Sequence, residues 1–328
     1  MTALKAPFTW FGGKSRAAPL IWSRFGDVRN YVEPFAGSLA VLLAAPHGGT
    51  ITETVNDLDG FIANFWRSLA ANPNEVWRHA DWPVSEIDLH ARHIHLVNRR
   101  HELTDRLIGD PNYYDPMLAG WWVWGISQWI GSGWCSGKGP WNSDGERLIN
   151  IRNGDTDGHG VNRQKPNVGN SGMGVQSTTV DQMERLHALS SRLRNVRVCC
   201  GGWERVLTKT VTTGLGLTGV MLDPPYSSQA DRVMNLYAAD SSTVAHDVRE
   251  WAIANSDNSQ LRIAMCGYAG EHDELGQYGW TVESWTAAGG YGAGRGNLAD
   301  ANKHRERIWF SPHCIDIDTQ EVQLFEVA

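Results

Sequence analysis

The stretch Gly219-Val220-Met221-Leu222-Asp223-Pro224-Pro225-Tyr226 joins an apolar run to a carboxylate, two prolines and an aromatic ring. The run through Leu222 is typical of a buried strand, and Pro-Pro commonly marks the turn that leaves a strand. Asp223 and the Pro224 carbonyl would both accept hydrogen bonds beside the Tyr226 ring. The stretch therefore predicts a rigid acceptor clamp at the carboxyl end of a buried strand, which would suit the exocyclic amine of a nucleobase.

Composition limits the classes of protein that this sequence can encode. The 328 residues allow one large or two modest domains, and the net charge of −7 disfavours a general nucleic-acid binder. DNA binding would need local basic surface, such as the arginines of the stretch 90–106 or the basic cluster 303–307. Five cysteines without a CxxC pair indicate reduced thiols rather than a disulfide framework.

Other sequence features bear on location and metal content. The first residues lack the apolar core of a signal peptide, and no apolar run approaches the length of a membrane helix. Cys199-Cys200 and the His93-x-His95 pair lack the spacing of metal ligands. The sequence therefore predicts a cytoplasmic protein that needs no metal ion and does not enter a membrane.

Secondary-structure patterns at both ends of the chain predict an α/β domain. Residues 30–38 form a strand that breaks into a turn, 39–43 a helix, and 51–55 a second strand followed by Asn56-Asp57. The alternation resumes with a helix at 180–194 and strands at 196–200, 220–222 and 261–265. Residues 280–283 and 306–310 are expected to close the sheet as an antiparallel pair.

The middle of the chain does not follow this alternation. It carries helical stretches, six of the sixteen tryptophans between residues 121 and 141, and then a long polar tract rich in glycine. Long tracts of this kind in compact domains are usually functional or disordered. The sequence therefore predicts one domain from residues 1–65 and 180–328, with an inserted, mainly helical and loop-rich module at 66–179.

Three further positions fit a site for an adenosyl ligand. Gly37 precedes a helix, where a glycine lets a ligand approach the backbone closely. Asp57 ends the next predicted strand, where an acid can bond ribose hydroxyls. Lys14 follows Gly12-Gly13 and could reach a ligand carboxylate or the acids at the strand ends. The GxGxxG pattern of dinucleotide folds is absent, which disfavours NAD.

Taken together, these segments resemble the D12 class of DNA adenine-N6 methyltransferases, the Dam-like family. Its cofactor, catalytic and closing-strand motifs are similar to residues 8–14, 31–37, 56–57, 223–226 and 305–312. The middle of the chain is unmatched, where that family places its variable target-recognition domain. Two positions depart from the family pattern: Leu39 replaces a residue that is often small, and Gly202-Trp203 lacks the expected acid before the aromatic.

The resemblance implies a Rossmann-like fold that binds S-adenosylmethionine (AdoMet) and methylates adenine N6 in a specific duplex DNA sequence, with flipping of the target base. The implied catalytic residues are Asp223, Pro224 and Tyr226. The implied cofactor-binding residues are Trp10, Lys14, Glu33, Pro34, Phe35, Gly37, Asp57, Trp203 and Asp223. Basic and amide side chains of the polar tract are the candidates for DNA contacts: Arg147, Arg152, Asn153, Arg163, Gln164 and Lys165.

Two alternatives remain open at this point. The same clamp would serve methylation of cytosine N4, although Asp at its first position favours adenine. A catalytically silent DNA-binding protein is the second alternative, against which the intact Asp223 clamp argues. By resemblance, the chain is expected to act as a monomer or weak dimer in a bacterial cell, within a restriction-modification system or encoded by a phage.

Overall fold

A computed structural model describes residues 4–8, 10, 13–110, 112–129, 134–135, 141–143, 148–150, 179–226, 243–285 and 305–316. Seven strands in this part form one sheet: β1 (Asn30–Glu33), β2 (Thr52–Asp57), β5 (Val196–Cys200), β6 (Thr218–Leu222), β7 (Leu261–Tyr268), β8 (Thr281–Ser284) and β9 (Glu306–Phe310). Two short strands, β3 (Trp141–Ser143) and β4 (Leu148–Asn150), pair with each other.

The large sheet has the strand order β5-β2-β1-β6-β7-β9-β8. The first five strands of this order are mutually parallel, whereas β9 runs antiparallel to both β7 and β8. The antiparallel closing pair predicted near residues 280 and 306 is therefore confirmed. A mixed sheet of this kind is consistent with the methyltransferase fold that the motifs predicted.

The central strands are buried because helices cover both faces of the sheet. Every residue of β1 and β6 is buried, as expected for strands of a parallel sheet with both faces covered. The side chains alternate between faces: Tyr31 and Met221 belong to one hydrophobic cluster, while Val32 and Val220 belong to another on the opposite face. Because both faces are covered, the run Val220-Met221-Leu222 in β6 is apolar at every position.

Eight helices lie in the described part of the chain: α1 (Ala18–Phe25), α2 (Ala40–Leu43), α3 (Gly60–Ala71), α4 (Pro73–Ala80), α5 (Glu86–Gly109), α6 (Pro116–Gln128), α7 (Thr179–Leu193) and α8 (Val244–Ala254). None of them has the length and apolar character needed to cross a lipid bilayer. Helix α8 begins at Val244. Its cap residue, Thr243, makes no side-chain capping hydrogen bond.

The helices from α3 to α6 share the larger hydrophobic cluster with the sheet. Phe8 packs edge-on against Phe65 and Trp122, with ring centroids 5.4 and 5.1 Å apart. The boundary predicted between residues 65 and 66 falls inside α3. The described helices of the stretch 66–129 therefore continue the packing of the α/β core, while a separate recognition module stays a prediction.

The tryptophan-rich stretch mainly builds core. Trp122, Trp124 and Trp129 are buried. Arg92, one of the arginines considered for DNA contact, is 8% exposed, and its guanidinium lies 4.3 Å from the ring centroid of Trp124. Cation–π contacts and burial therefore occupy this side chain, and the prediction that Arg92 contributes to a basic DNA-binding surface is wrong.

The order of the strands reverses between β1 and β6. From β1 the chain builds outward through β2 to β5, and from β6 it builds outward in the other direction. Ligands of open α/β sheets bind outside the carboxyl ends of the strands at such a switch point. The segments that follow Glu33 and Leu222 lie on its two sides.

Candidate active site

A cavity of about 260 Å³ lies at this switch point. Its walls come from the segments that follow β1, β2, β5 and β6, with contributions from the start of α8. All nine residues predicted to bind a cofactor line it: Trp10, Lys14, Glu33, Pro34, Phe35, Gly37, Asp57, Trp203 and Asp223. The structure thus brings together side chains that are dispersed over more than 200 positions of the sequence.

The turn after β1 depends on Gly37. This residue has a φ of +45°, in the region that favours glycine. A Cβ atom built at this position would lie 2.6 Å from the indole nitrogen of Trp10. In addition, the Trp66 indole donates a hydrogen bond of 2.9 Å to the Gly37 carbonyl. Two tryptophans therefore hold this turn against the cavity, and a side chain at residue 37 would displace one of them.

Asp57 fastens the same turn from the next strand. Its Oδ2 accepts a hydrogen bond from the Gly37 amide at 3.0 Å, and its Oδ1 accepts from the Asp59 amide at 2.8 Å. The N-cap of α3 is Asp59, so Asp57 does not cap that helix. Burial, followed by the nearby charge of Asp59, raises the pKa of Asp57 to about 7.

Two further polar groups, Glu33 and Asn56, lie on the cavity wall. Burial raises the pKa of Glu33 to about 8, although the Tyr31 hydroxyl donates to its Oε2 at 3.0 Å. The Asn56 amide nitrogen donates to the carbonyls of Pro34 and Gly201, while its Oδ1 is buried without a partner among the described atoms. Buried acceptors of this kind are normally satisfied, so this wall is suited to a ligand that brings donors.

Aromatic rings form another part of the wall. Phe35, after β1, and Trp203, after β5, are inclined by only 28° to each other, with ring centroids 6.5 Å apart. The sequence has Gly202 where the family pattern has an acid. An acid, Glu204, stands two positions later and also lines the cavity. The Glu204 carboxylate lies over Gly202, where a Cβ atom would be 2.7 Å from Glu204 Oε2.

Lys14 reaches the acid at the end of β6. Its ammonium lies 2.8 Å from Asp223 Oδ2, and the lysine side chain is only 4% exposed. Burial acts to lower the pKa of Lys14, but the Asp223 carboxylate and other negative groups more than offset this, so the pKa is raised. The sequence suggested that Lys14 could reach a ligand carboxylate or the acids at the strand ends. The structure places it against one of these acids, Asp223.

Tyr226 is fixed by a residue that the sequence did not single out. Its hydroxyl donates a hydrogen bond of 2.7 Å to Glu306 Oε2 on β9, and its ring packs edge-on against Tyr268. Glu306 is buried, and burial raises its pKa. Glu306 is an acid within the basic segment Arg305-Glu306-Arg307, and the alternation of side chains along a strand turns it toward the sheet interior. This pattern is the sequence signal that could have identified Glu306.

Pro224 and Tyr226 stand beside the cavity rather than in its wall, which includes Asp223 and Pro225. Within the described ranges, no three His, Cys, Asp or Glu side chains are grouped so that they could hold a metal ion. The predicted DNA contacts lie outside the described residues: Arg147, Arg152, Asn153, Arg163, Gln164 and Lys165.

Part of the chain matches a known protein family. Residues 10–96 match the family of D12 class N6 adenine-specific DNA methyltransferases. No curated protein matches the chain. The matched stretch contains Lys14, the Gly37 turn and Asp57, which are three parts of the cavity wall. The match confirms the resemblance that the motifs predicted: over residues 10–96 the chain is similar to the D12 class of N6 adenine-specific DNA methyltransferases.

Proposed function

We propose that this enzyme binds AdoMet in the cavity beside β1 and β6 and methylates the N6 amine of an adenine flipped out of a specific duplex sequence. The observation that carries the proposal is the position of Asp223. Its carboxylate lines the cavity and also begins the Asp-Pro-Pro-Tyr clamp beside it. Methyl donor and acceptor amine would then meet at one residue.

The chemistry of the cavity wall fits AdoMet. The ligand's ribose hydroxyls and ammonium group are donors, and the wall offers the carboxylates of Asp57 and Glu33 and the unsatisfied Asn56 Oδ1. The ligand's adenine ring is flat and apolar on its faces, which suits the Phe35 and Trp203 rings. When bound, AdoMet supplies a methyl group on a positively charged sulfur, which an amine can attack.

The clamp would make the substrate amine a better nucleophile. The N6 lone pair of adenine is delocalised into its ring, so the amine is weakly nucleophilic. We assign Asp223 Oδ1 and the Pro224 carbonyl as acceptors of the two N6 hydrogens, while Lys14 holds Asp223 Oδ2. Two acceptors would draw the nitrogen toward tetrahedral geometry and localise the lone pair. One N6 proton must leave when the N–C bond forms, and Asp223 is the acceptor next to it.

Tyr226 would hold the flipped base by stacking. Flipping costs a few kcal/mol, and base–aromatic stacking is worth about 1–3 kcal/mol per base. The hydrogen bond to Glu306 and the contact with Tyr268 restrict the orientation of the Tyr226 ring. A ring that is already oriented loses less conformational freedom when the base arrives.

Sequence recognition is assigned to the module predicted at residues 66–179, and within it to the polar tract that carries Arg147, Arg152, Asn153, Arg163, Gln164 and Lys165. Arginine and amide side chains read base edges in the major groove, and basic side chains hold phosphates. Deletion of residues 145–170 should remove sequence preference and weaken DNA binding. Unchanged preference and affinity would refute this assignment.

A transfer assay tests the proposed reaction. Purified protein is incubated with methyl-labelled AdoMet and duplex DNA that carries many sequences, and label in the DNA is counted. We expect labelled DNA with the wild type. Bound AdoMet without labelled DNA would contradict transfer and would favour a silent DNA-binding protein. From the resemblance alone we further infer a monomer or weak dimer in the bacterial cytoplasm, within a restriction-modification system or a phage.

A further inference from the structure

A second, larger cleft lies along the edge strand β5, on the side of the sheet away from Asp223. It has a volume of about 640 Å³ and is lined by α3, the ends of α5 and α7, and β5. Four arginines line it: Arg67, Arg194, Arg197 and Arg205. No aspartate or glutamate is present among the described residues of its lining. The cleft is therefore strongly basic on a protein whose net charge is −7.

Backbone carbonyls orient two of these arginines. The Arg67 guanidinium donates to the carbonyls of Leu107 and Asp110 at 3.1 Å each. Arg205 donates to the carbonyl of Cys200 at the end of β5. Neutral carbonyls bring no negative charge to these side chains, so these hydrogen bonds orient the guanidinium groups without lowering the positive potential of the cleft.

Arg194 and Arg197 are exposed, and the described residues include no acid paired with either. Arginines elsewhere on the molecule do have acidic partners, as in the pairs Arg192–Glu53 at 2.6 Å and Arg99–Glu102 at 2.9 Å. Arg194 and Arg197 thus form a group of charges that no acid among the described residues neutralises. Such a group is costly through mutual repulsion unless a polyanion binds it.

The backbone of β5 adds a second kind of donor. Within the described sheet β5 pairs with β2 alone, so its outer edge faces the cleft. Phosphate oxygens accept hydrogen bonds from arginine and from backbone N–H groups alike. Arginine is also the side chain whose planar fork best matches a phosphate.

We propose that this cleft binds the phosphate backbone of the DNA that flanks the target site. This inference rests on the proposed function, because it takes the same DNA as its ligand. Strand β5 stands three strand positions from β6, which at about 4.8 Å per position is roughly 14 Å. At about 3.4 Å per base pair, the arginines would meet phosphates roughly four base pairs from the flipped adenine.

The test compares R194Q/R197Q with R29Q/R78Q. Both double variants lose two exposed arginines. Arg29 precedes β1 at the opposite end of the sheet, and Arg78 pairs with Glu75, so the control matches the charge change away from the cleft. DNA dissociation constants are measured against salt concentration for two duplexes, with about three and about twelve base pairs on each side of the target. AdoMet affinity, measured in the same preparations, checks folding.

For the long duplex, R194Q/R197Q should make the negative slope of log affinity against log salt shallower by about 1.8, that is about 0.9 for each phosphate contact. A fourfold rise in salt would then cost the wild type about tenfold more affinity than it costs this variant. The short duplex and the R29Q/R78Q control should show no such change. Equal slopes for R194Q/R197Q and the control would overturn the inference. Methylation by the wild type would persist in that case, so the proposed function would stand. A wild type that bound AdoMet but no DNA would overturn the proposed function as well.

Discussion

The Lys14 ammonium lies 2.8 Å from Asp223 Oδ2, so the segment before α1 is joined by an ion pair to the end of β6. The pair is well shielded on the lysine side, where the side chain is 4% exposed, and more open on the aspartate side, at 25%. One oxygen of Asp223 is thereby fixed, which also restricts the orientation of its other oxygen.

Loss of this ion pair should destabilise the protein. Breaking a buried pair by removing one partner costs about 3–5 kcal/mol, and the partial exposure of Asp223 reduces this to about 2 kcal/mol for Lys14→Met. Denaturant unfolding measures the change, and Lys5→Met, at an exposed site in the same segment, is the control. Transfer should fall as well, because Asp223 loses its fixed orientation. Equal stability of the two variants would contradict a structural role for the pair.

Asp57→Ala should weaken AdoMet binding by about 1.5–3 kcal/mol, the worth of a hydrogen bond to a charged group. The same change releases the Gly37 amide from Asp57 Oδ2, which acts in the same direction. Calorimetric titration with AdoMet measures the effect. Asp27→Ala is the matched control, because Asp27 is exposed at the opposite end of β1. An Asp57 variant that bound AdoMet like this control would refute the assigned role.

AdoMet affinity should rise with pH. Burial raises the pKa of Asp57 to about 7 and that of Glu33 to about 8, so both carboxyls are partly protonated near neutrality. A ligand that brings hydrogen-bond donors favours the ionised form and lowers both pKa values, so binding releases protons. Affinity should therefore increase between about pH 6 and pH 9, by at most about tenfold per pH unit for each proton released, and then level off.

Titrations in two buffers of different ionisation enthalpy measure the protons released. Asp57→Asn should remove the part of this dependence that is centred near pH 7. Affinity that stayed constant or fell over the same range would show that neither carboxyl loses its proton on binding.

Tyr226 and Glu306 should act as a coupled pair. Tyr226→Phe keeps the ring but loses the hydrogen bond to Glu306, and Glu306→Gln weakens the same bond from the other side. Each should lower kcat without changing AdoMet affinity. Because they remove one interaction, the double variant should be less impaired than the sum of the single effects, by about 1 kcal/mol. Additive effects on kcat would exclude orientation of Tyr226 by Glu306.

The parts of the site that sequence alone predicted follow from strand ends. Asp57 ends β2, Asp223 directly follows β6, and Gly37 lies in the turn after β1, and the carboxyl ends of parallel strands meet at one edge of a sheet. The contact between Tyr226 and Glu306 links residues 80 positions apart. It depends on the register of β9 against β7, which no local pattern specifies.

The sequence does not predict the basic cleft, for a similar reason. Arg67, Arg194, Arg197 and Arg205 come from α3, the end of α7, β5 and the turn after it. Arg194 and Arg197 are close in the sequence, but Arg67 and Arg205 join them only when the sheet is assembled. Conversely, Arg92 lies in a basic stretch of the sequence, but the helix that carries it turns this side chain into the tryptophan core.

The central claim is methylation of adenine N6 through Asp223. Nucleoside mass spectrometry tests it directly on digested DNA from bacteria that lack adenine methylation of their own and express either the wild-type chain or Asp223→Ala. We predict N6-methyladenine in the DNA of cells with the wild type and none with the variant, although the variant protein still binds AdoMet. N4-methylcytosine in place of N6-methyladenine, no modified base at all, or equal N6-methyladenine with Asp223→Ala would contradict the claim.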